Sequence, residues 1–447
     1  MIPADANWQS ACPQNVNAAV SLVHVLSFPG LPGVGPFAFC SPGSRSPGSL
    51  PYISTMAGGG MESDGLQCTA TNAALTVEIL DYDQIFTSAL AANTFEGQQA
   101  MLTSGFMGLG QADFIPCGTY IVDTVEPLEA NLKYRLNLRD KGLLMEQTVW
   151  PYGNNGWPTS SANPLSVISD PMSILNAIMA ACGYGSGDLN TPVISAYQQG
   201  LFYGCTMDFS ITQPPQAKAW LSQEIYSPLA GFAFWNYAGK YTPHFLLPQG
   251  PPTVASYPVF TPRSIRDPIP VPGAGPYCAA LMMMMDYDGQ NYNTQNLSTD
   301  TAGLALYEGV VQITNRQSRG LRSANGGCMF AELAASATFR RYAVKPWILN
   351  YTSFWPSIVL EPGDVVPVTH PQIPIKGVGM GFVNRWFEVQ KKEPNWVDGT
   401  VDLSLIDVNW MNATQRVIAP NGTPNYAGSS AAQRAEYLYP DQGQMVY

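Results

Sequence analysis

Leu75-Thr76-Val77-Glu78-Ile79-Leu80, followed at once by Asp81-Tyr82-Asp83, is the stretch on which the fold class turns. Leu75, Val77 and Ile79 alternate with Thr76 and Glu78, so one side of an extended chain is apolar and the other polar, the pattern of a strand half-buried in a core. The aspartates on either side of Tyr82 end it, because short polar side chains bond nearby backbone and favour turns.

The same period recurs outward from this point. Apolar residues from Val20 to Phe39 recur around Pro and Gly and predict a strand pair, followed by a loop from Ser41 to Pro51. Ala100 to Gly105, Thr119 to Val125 and Lys133 to Leu138 predict further strands, the last with Tyr134, Leu136 and Leu138 on one face. Residues 1–150 therefore read as one β domain, a barrel or sandwich.

Pro151 to Pro164 is a Gly/Asn/Ser/Pro linker, and the pattern then turns helical. Asp170 can cap free backbone N–H groups, and Pro171 is preset for a first helical turn. Met172, Leu175 and Met179 follow at helical spacing until Gly183 and Gly185. A second helical pattern runs through Lys218, Leu221 and Ile225 before a strand at Phe232 to Tyr237, so residues 151–255 predict a smaller inserted α+β domain. After the Pro-rich passage Pro251 to Pro276, a strand from Ala279 to Asp286 opens a second β domain, residues 256–410. It holds one helix, Met329 to Arg340, and strands at Ile358 to Leu360, Val365 to Thr369, Trp386 to Gln390 and Val401 to Leu405. From Met411 to Tyr447 an Asn/Pro/Gly/Ala-rich composition predicts an extended C-terminal arm that orders against a partner. The fold class expected is mainly β, of α+β type.

Charge separates the functional classes. Only 12% of the 447 residues are Asp, Glu, Lys or Arg, half of the ~25% usual in soluble domains. Much of the surface is thus neutral polar or covered by neighbours. A net charge of −11 opposes a phosphate-gripping surface, since nucleic-acid binders carry basic patches. Met1 to Asn15 has no basic residue and no apolar run of signal length, which predicts cytoplasmic synthesis. Ala279 to Met285 is far shorter than the ~20 residues that cross a bilayer, so no membrane span is expected.

The motifs of catalysis fail one by one. His24, His244 and His370 are far apart and none sits in H-E-x-x-H. There is no G-x-S-x-G. Gly239-Lys240 lacks the upstream Gly and the following Ser/Thr of a phosphate loop. Asp286-Tyr287-Asp288-Gly289 has Gly too early and Leu297 where a calcium loop needs Glu, so it reads as a turn. Gly377, Gly379 and Gly381 lack the spacing of a dinucleotide fingerprint and read as a hairpin loop. The eight cysteines contain no C-x-x-C and are expected to be free buried thiols. Asp81, Asp83, Asp286 and Asp288 are available as paired carboxylates of a glycosidase, a separation that only the fold sets. No catalytic, cofactor-binding or metal site is assigned.

The order of segments resembles the tail hub, or baseplate hub, proteins of long-tailed bacteriophages and gene transfer agents, over nearly the whole chain. In the first domain the run Leu75 to Asp83, Glu96-Gly97, Leu102 to Phe106, Ala112-Asp113-Phe114 and Gly118 carries it, and in the middle Asn163-Pro164, Asp170 to Met179, Trp220 to Ile225 and Gly239-Lys240. The second β domain carries it most strongly: Met282 to Tyr287, Asp300, Tyr307-Glu308-Gly309, Phe339-Arg340-Arg341, Leu360-Glu-Pro-Gly-Asp-Val-Val-Pro-Val-Thr-His370 and Phe387 to Gln390. Ile418 to Tyr426 and Gln433 to Tyr437 resemble the family's C-terminal arm.

The resemblance implies a structural virion protein and no enzyme: a homotrimer at the tail tip whose two β-barrel-like hub domains per chain make a six-domain ring. Such a ring joins the sixfold tail tube and distal tail protein to the threefold tip and its fibres. Viral DNA and the tape measure protein pass through its lumen without specific binding, and part of the negative charge is expected to line that bore. Some relatives hold an iron–sulfur cluster on four cysteines of the inserted domain; only Cys182 and Cys205 fall there in this chain, so no cofactor is expected. Two rival classes stay open on the residues alone. One is a carbohydrate-active hydrolase working through paired aspartates, the other a receptor-binding module touching the host through Tyr and Trp.

Overall fold

A computed structural model describes residues 22–29, 37–41, 49–72, 74–129, 132–150, 164–246, 271–306, 312–375, 379–408, 417–418, 428–430, 437–441 and 444–446. In chain order the strands are β1 Leu22–Phe28, β2 Phe37–Cys40, β3 Ile53–Gly58, β4 Met61–Asp64, β5 Thr69–Asn72, β6 Leu75–Leu80, β7 Gln99–Phe106, β8 Ile115–Glu129 and β9 Lys133–Asp140. There follow β10 Leu165–Ser169, β11 Met207–Ile211, β12 Gly231–Trp235, β13 Tyr241–Phe245, β14 Val271–Ala274, β15 Ala280–Tyr287, β16 Tyr292–Thr299, β17 Ile313–Gln317 and β18 Trp347–Phe354. The last are β19 Val365–Ile375, β20 Gly379–Asn395, β21 Thr400–Asp407, β22 Val417–Ile418, β23 Tyr437–Asp441 and β24 Gln444–Val446. Six α-helices are described: α1 Ile85–Ala92, α2 Pro171–Ala181, α3 Thr191–Gln199, α4 Ala217–Leu221, α5 Thr301–Leu306 and α6 Gly327–Tyr342. The class is mainly β with helices, as the alternation predicts.

The first sheet runs β2-β1-β7-β8-β9-β6-β3, and its neighbours are antiparallel. Leu75, Val77 and Ile79 are fully buried on β6, facing Leu136 and Leu138 of β9. The edge strand β2 is bridged to Leu50, three residues before the other edge strand β3: Cys40 N donates to Leu50 O at 2.8 Å and Leu50 N to Ala38 O at 2.9 Å. Barrel-like curvature is present, but the strand pairing is not continuous all the way round.

The second sheet runs β14-β18-β21-β20-β4-β5, with β19 also on β20. It borrows β4 and β5 from inside residues 1–150, through Lys391 opposite Glu62 and Lys392 opposite Met61. The buried clusters likewise cross the linear segments. One joins the interior of the first sheet to Leu349, Trp355, Phe387, Leu403 and their neighbours in the second. The other joins α2, β11, α4 and β13 to β15 and α6. The expected linkers at 151–164 and 251–276 lie almost wholly outside the described residues, as does most of 411–447.

Several local expectations differ from what is observed. Ile358 to Leu360 is not a strand: Trp355–Val359 forms a 3-10 helix with Pro356 in its first turn, where a residue without a backbone N–H costs nothing. Val271–Ala274 is a strand, although it lies in the Pro-rich passage read as linker. The second β segment holds α5 beside α6, and α3, opened by Thr191-Pro192, adds a helix to the insert. The helix opening at Pro171 is as read: Asp170 accepts from the backbone N–H of Met172 and Ser173 at 3.0 and 2.9 Å.

Candidate functional site

Between β3 of the first sheet and β4 of the second, the chain crosses through Gly58-Gly59-Gly60. Gly58 and Gly59 sit at φ 86° and 78°, a region that glycine enters without a Cβ clash. A Cβ on Gly58 would lie 2.1 Å from the Ala74 carbonyl oxygen, and one on Gly59 would press on Trp396 and Tyr120. Trp396 Nε1 closes the crossing by donating to Gly58 O at 2.9 Å.

Over this crossing His24 of β1 packs edge-on against Trp355 and Trp396, and these two indoles pack on each other. His24 Nε2 lies 3.2 Å from Trp396 O. Burial pushes the imidazole down to about 4, against the smaller opposing effect of that bond, so the ring is neutral near pH 7. Lys392 of β20 is buried and donates to Ile358 O at 3.1 Å. Burial lowers the pKa of this ammonium, and Glu361 opposes the shift. Glu361 accepts from Tyr237 N at 2.8 Å, tying the insert to the second sheet.

The remaining joints are also charged. Glu388 of β20 pairs with Arg341 of α6 at 2.7 Å, and His244 of β13 stands 3.6 Å from its other oxygen. Burial works against the Glu388 charge, but Arg341 and His244 outweigh it and hold the carboxyl down to about 2. Glu224 accepts from Arg319 Nε at 2.6 Å and from Arg319 N at 2.8 Å, and Arg316 donates to Leu66 O at 3.2 Å. Arg385 and Asp407 form another buried pair, Nε to Oδ2 at 2.9 Å. A chain poor in charge thus spends a good part of it inside, where removing one partner of a pair is costly.

A cleft of about 350 Å3 opens between β5, α4 and β12, lined by Met145, Lys218, Tyr226, Trp235, Tyr241 and Asp140, among others. Burial raises the pKa of Asp140, whose Oδ1 accepts from Gly142 N at 3.1 Å. Asp140 is the one carboxylate in the lining, so the cleft lacks the pair of carboxylates that a glycosidase uses.

The residues singled out in the sequence are dispersed. Asp81 accepts from Phe86 N, Thr87 N and Thr87 Oγ1 at the start of α1, and Asp83 accepts from Ile85 N and Tyr52 OH. Asp288 closes the β15–β16 turn by accepting from Gln290 N and Asn291 N, and Asp286 accepts from Ser323 N. All four carboxylates bond local structure, and none lines the cleft. Gly239-Lys240 is the β12–β13 turn, held by Asn236. Gly379 opens β20 opposite Ile375 of β19 and Gly381 lies within β20, while Gly377 is outside the described residues. His370 Nδ1 accepts from Gln372 N at 3.2 Å. Trp150, Trp220, Trp235, Trp355 and Trp396 are buried, and of these Trp235 alone lines the cleft. Cys182 and Cys205 are buried, and burial raises both thiol pKa values. Among the described residues no three His, Cys, Asp or Glu side chains converge as metal ligands. Sequence reading missed the crossing itself. Its signal was the Gly58-Gly59-Gly60 triplet between two alternating stretches.

No family profile matches the chain, and no curated protein sequence does. Among solved structures it is similar to a tail protein from Neisseria meningitidis, with TM-score 0.47, 9% identity, and 87% of this chain and 98% of that one covered. It is also similar to the 43 kDa tail protein of prophage MuSo2 from Shewanella oneidensis, at 0.45, 12%, 87% and 97%. A prophage tail protein from Listeria monocytogenes follows at 0.45, 7%, 86% and 94%. All three are described as tail proteins, two of them from prophages.

Proposed function

We propose that this chain is a structural subunit of a phage-type long tail, the hub of its tip, and that it has no catalytic role. The observation that carries the reading is the presence of two seven-stranded sheets in one polypeptide, joined through a glycine crossing and a shared core. Two β modules per chain are what a threefold subunit needs to present six modules to a sixfold tube. The buried Arg341–Glu388 pair between α6 and β20 supports it, because a hub must hold its modules at fixed angles under load. The charge-poor composition supports it as well, since lasting interfaces bury apolar and aromatic area and deplete Lys, Glu and Asp.

On this reading three copies close into a ring in the virion, between the distal tail protein and the fibres of the tip. The tape measure protein and then DNA pass along the bore, whose negative lining keeps phosphates from adhering. Assembly follows synthesis in the host cytoplasm. The boundaries near 150, 255 and 410 are proposed as those of the first hub domain, the insert, the second hub domain and the arm. Electron micrographs of the purified protein test the proposal: threefold rings or stacked tubes with an open centre are expected. Compact monomers at every concentration, or a ring with a basic bore, would count against it.

A further inference from the structure

We propose that the open face of the β16-β15-β17 sheet, together with the outer edge of β16, is the surface on which copies of this chain associate. The inference rests on reading the chain as a self-assembling hub and adds where the copies meet.

The registers fix which side chains share that face. One side of β15 carries Leu281, Met283 and Met285, buried in the same cluster as Phe330 and Ala334 of α6. The other side is a grid of three rows, Thr299–Ala280–Ile313, Leu297–Met282–Asn315 and Gln295–Met284–Gln317. None of these nine residues is charged, in a chain whose formal charge is −11. Leu297 is 51% and Ile313 44% exposed, Met282 and Met284 are partly exposed between them, and Ala280 at one end of the grid is buried.

The edge beside this face is unguarded. Natural sheets blunt exposed edges with charge, proline or bulges, because free N–H and C=O groups recruit another strand. β19, the eleven-residue edge strand of the second sheet, has Pro367, Pro371 and Pro374 and two register shifts. β16 has none of these: its eight residues, Tyr-Asn-Thr-Gln-Asn-Leu-Ser-Thr, carry no charge and no proline, and among the described residues β15 is its sole strand partner.

Charge selects the occupant. Two copies at −11 each repel, and contact through an acidic face would bury like charges. In a closed threefold ring the grid of one copy meets a different face of the next, and a neutral grid of Met, Leu, Ile and side-chain amides sets no like charge against it. A basic partner would gain nothing here and would favour the acidic remainder. Nine residues fall short of the roughly 20–30 a side of a standard interface, so the grid forms its centre and its surroundings the rim.

The test places charge on the grid with Gln295→Glu and Leu297→Glu together, and compares Val397→Glu, at a site 70% exposed on the β20–β21 turn, as a control. Sedimentation velocity reads the oligomer, and thermal melting checks the fold. Loss of a wild-type trimer in the double variant, with the control unchanged, is expected. A trimer that survives the double variant overturns the surface and leaves the hub reading standing. A wild-type dimer that the variant abolishes keeps the surface and overturns the ring, and a wild-type monomer throughout overturns both. If the variant fails to fold, hydrogen exchange of the wild type decides: β16 amides must gain protection as concentration rises, and unchanged exchange sinks the proposal.

Discussion

His24 shows how much one side chain can be asked to hold. Its ring is enclosed by Trp355 and Trp396 at the seam of two sheets, with its proton affinity lowered to about 4. Because the folded value lies below the ordinary 6.5, the fold favours the neutral ring. That contribution is complete above pH 6.5 and disappears as pH falls toward 4. At 1.36 kcal/mol per pKa unit it amounts to about 3 kcal/mol. Glu388, held down to about 2, acts in a separate window, its contribution present above 4.5 and lost toward 2. Urea denaturation across pH should therefore show a first loss of stability between 6.5 and 4 that His24→Gln flattens, and a second, below 4.5, that it leaves in place. An unchanged slope above pH 4.5 in His24→Gln would show that the loss has another source.

At the scale of elements the decisive feature is a turn without side chains. β3 and β4 belong to different sheets, and three consecutive glycines let the chain leave one and enter the other within three residues. Gly58→Ala faces both a positive φ and an oxygen 2.1 Å from the new methyl. Gly97→Ala, at φ 81° with nothing within 4 Å, faces only the first. A strained φ costs about 1–3 kcal/mol, so both variants lose stability by chemical denaturation, Gly58→Ala by clearly more. Equal losses would mean that the crossing relaxes freely and does not fix the sheets. The helix at Pro171 and the strands at 75–80 and 133–140 were legible because each is written in a few neighbouring residues. β16 was not, since Tyr-Asn-Thr-Gln-Asn-Leu-Ser-Thr has no apolar alternation to read; it is a strand because β15 lies beside it.

The whole molecule is governed by where its scarce charge goes. Ion pairs such as Arg341–Glu388 and Arg385–Asp407 lock the interior, while the grid on the β16-β15-β17 sheet is neutral. Copies that repel through a net −11 and meet through uncharged residues should associate more tightly as salt screens the repulsion. Sedimentation between about 0.05 and 0.5 M NaCl, over which the Debye length shrinks from above 10 Å to below 8 Å, is expected to shift toward the oligomer. A shift toward monomer would mean that the contact is built from ion pairs and lies elsewhere.

The sequence by itself determined the class of fold, the position of many strands, the capped helix at Asp170 and the reading of the acidic turns, because periodicity and capping are local. It also carried the resemblance to tail hubs in the order of its segments. Tertiary structure alone decided that β4 and β5 join the second sheet, that Glu388 meets Arg341 and His244, and that His24 lies between two tryptophans. Those contacts join residues tens to hundreds of positions apart. Their geometry follows from how the sheets curl and pack, which no local pattern encodes.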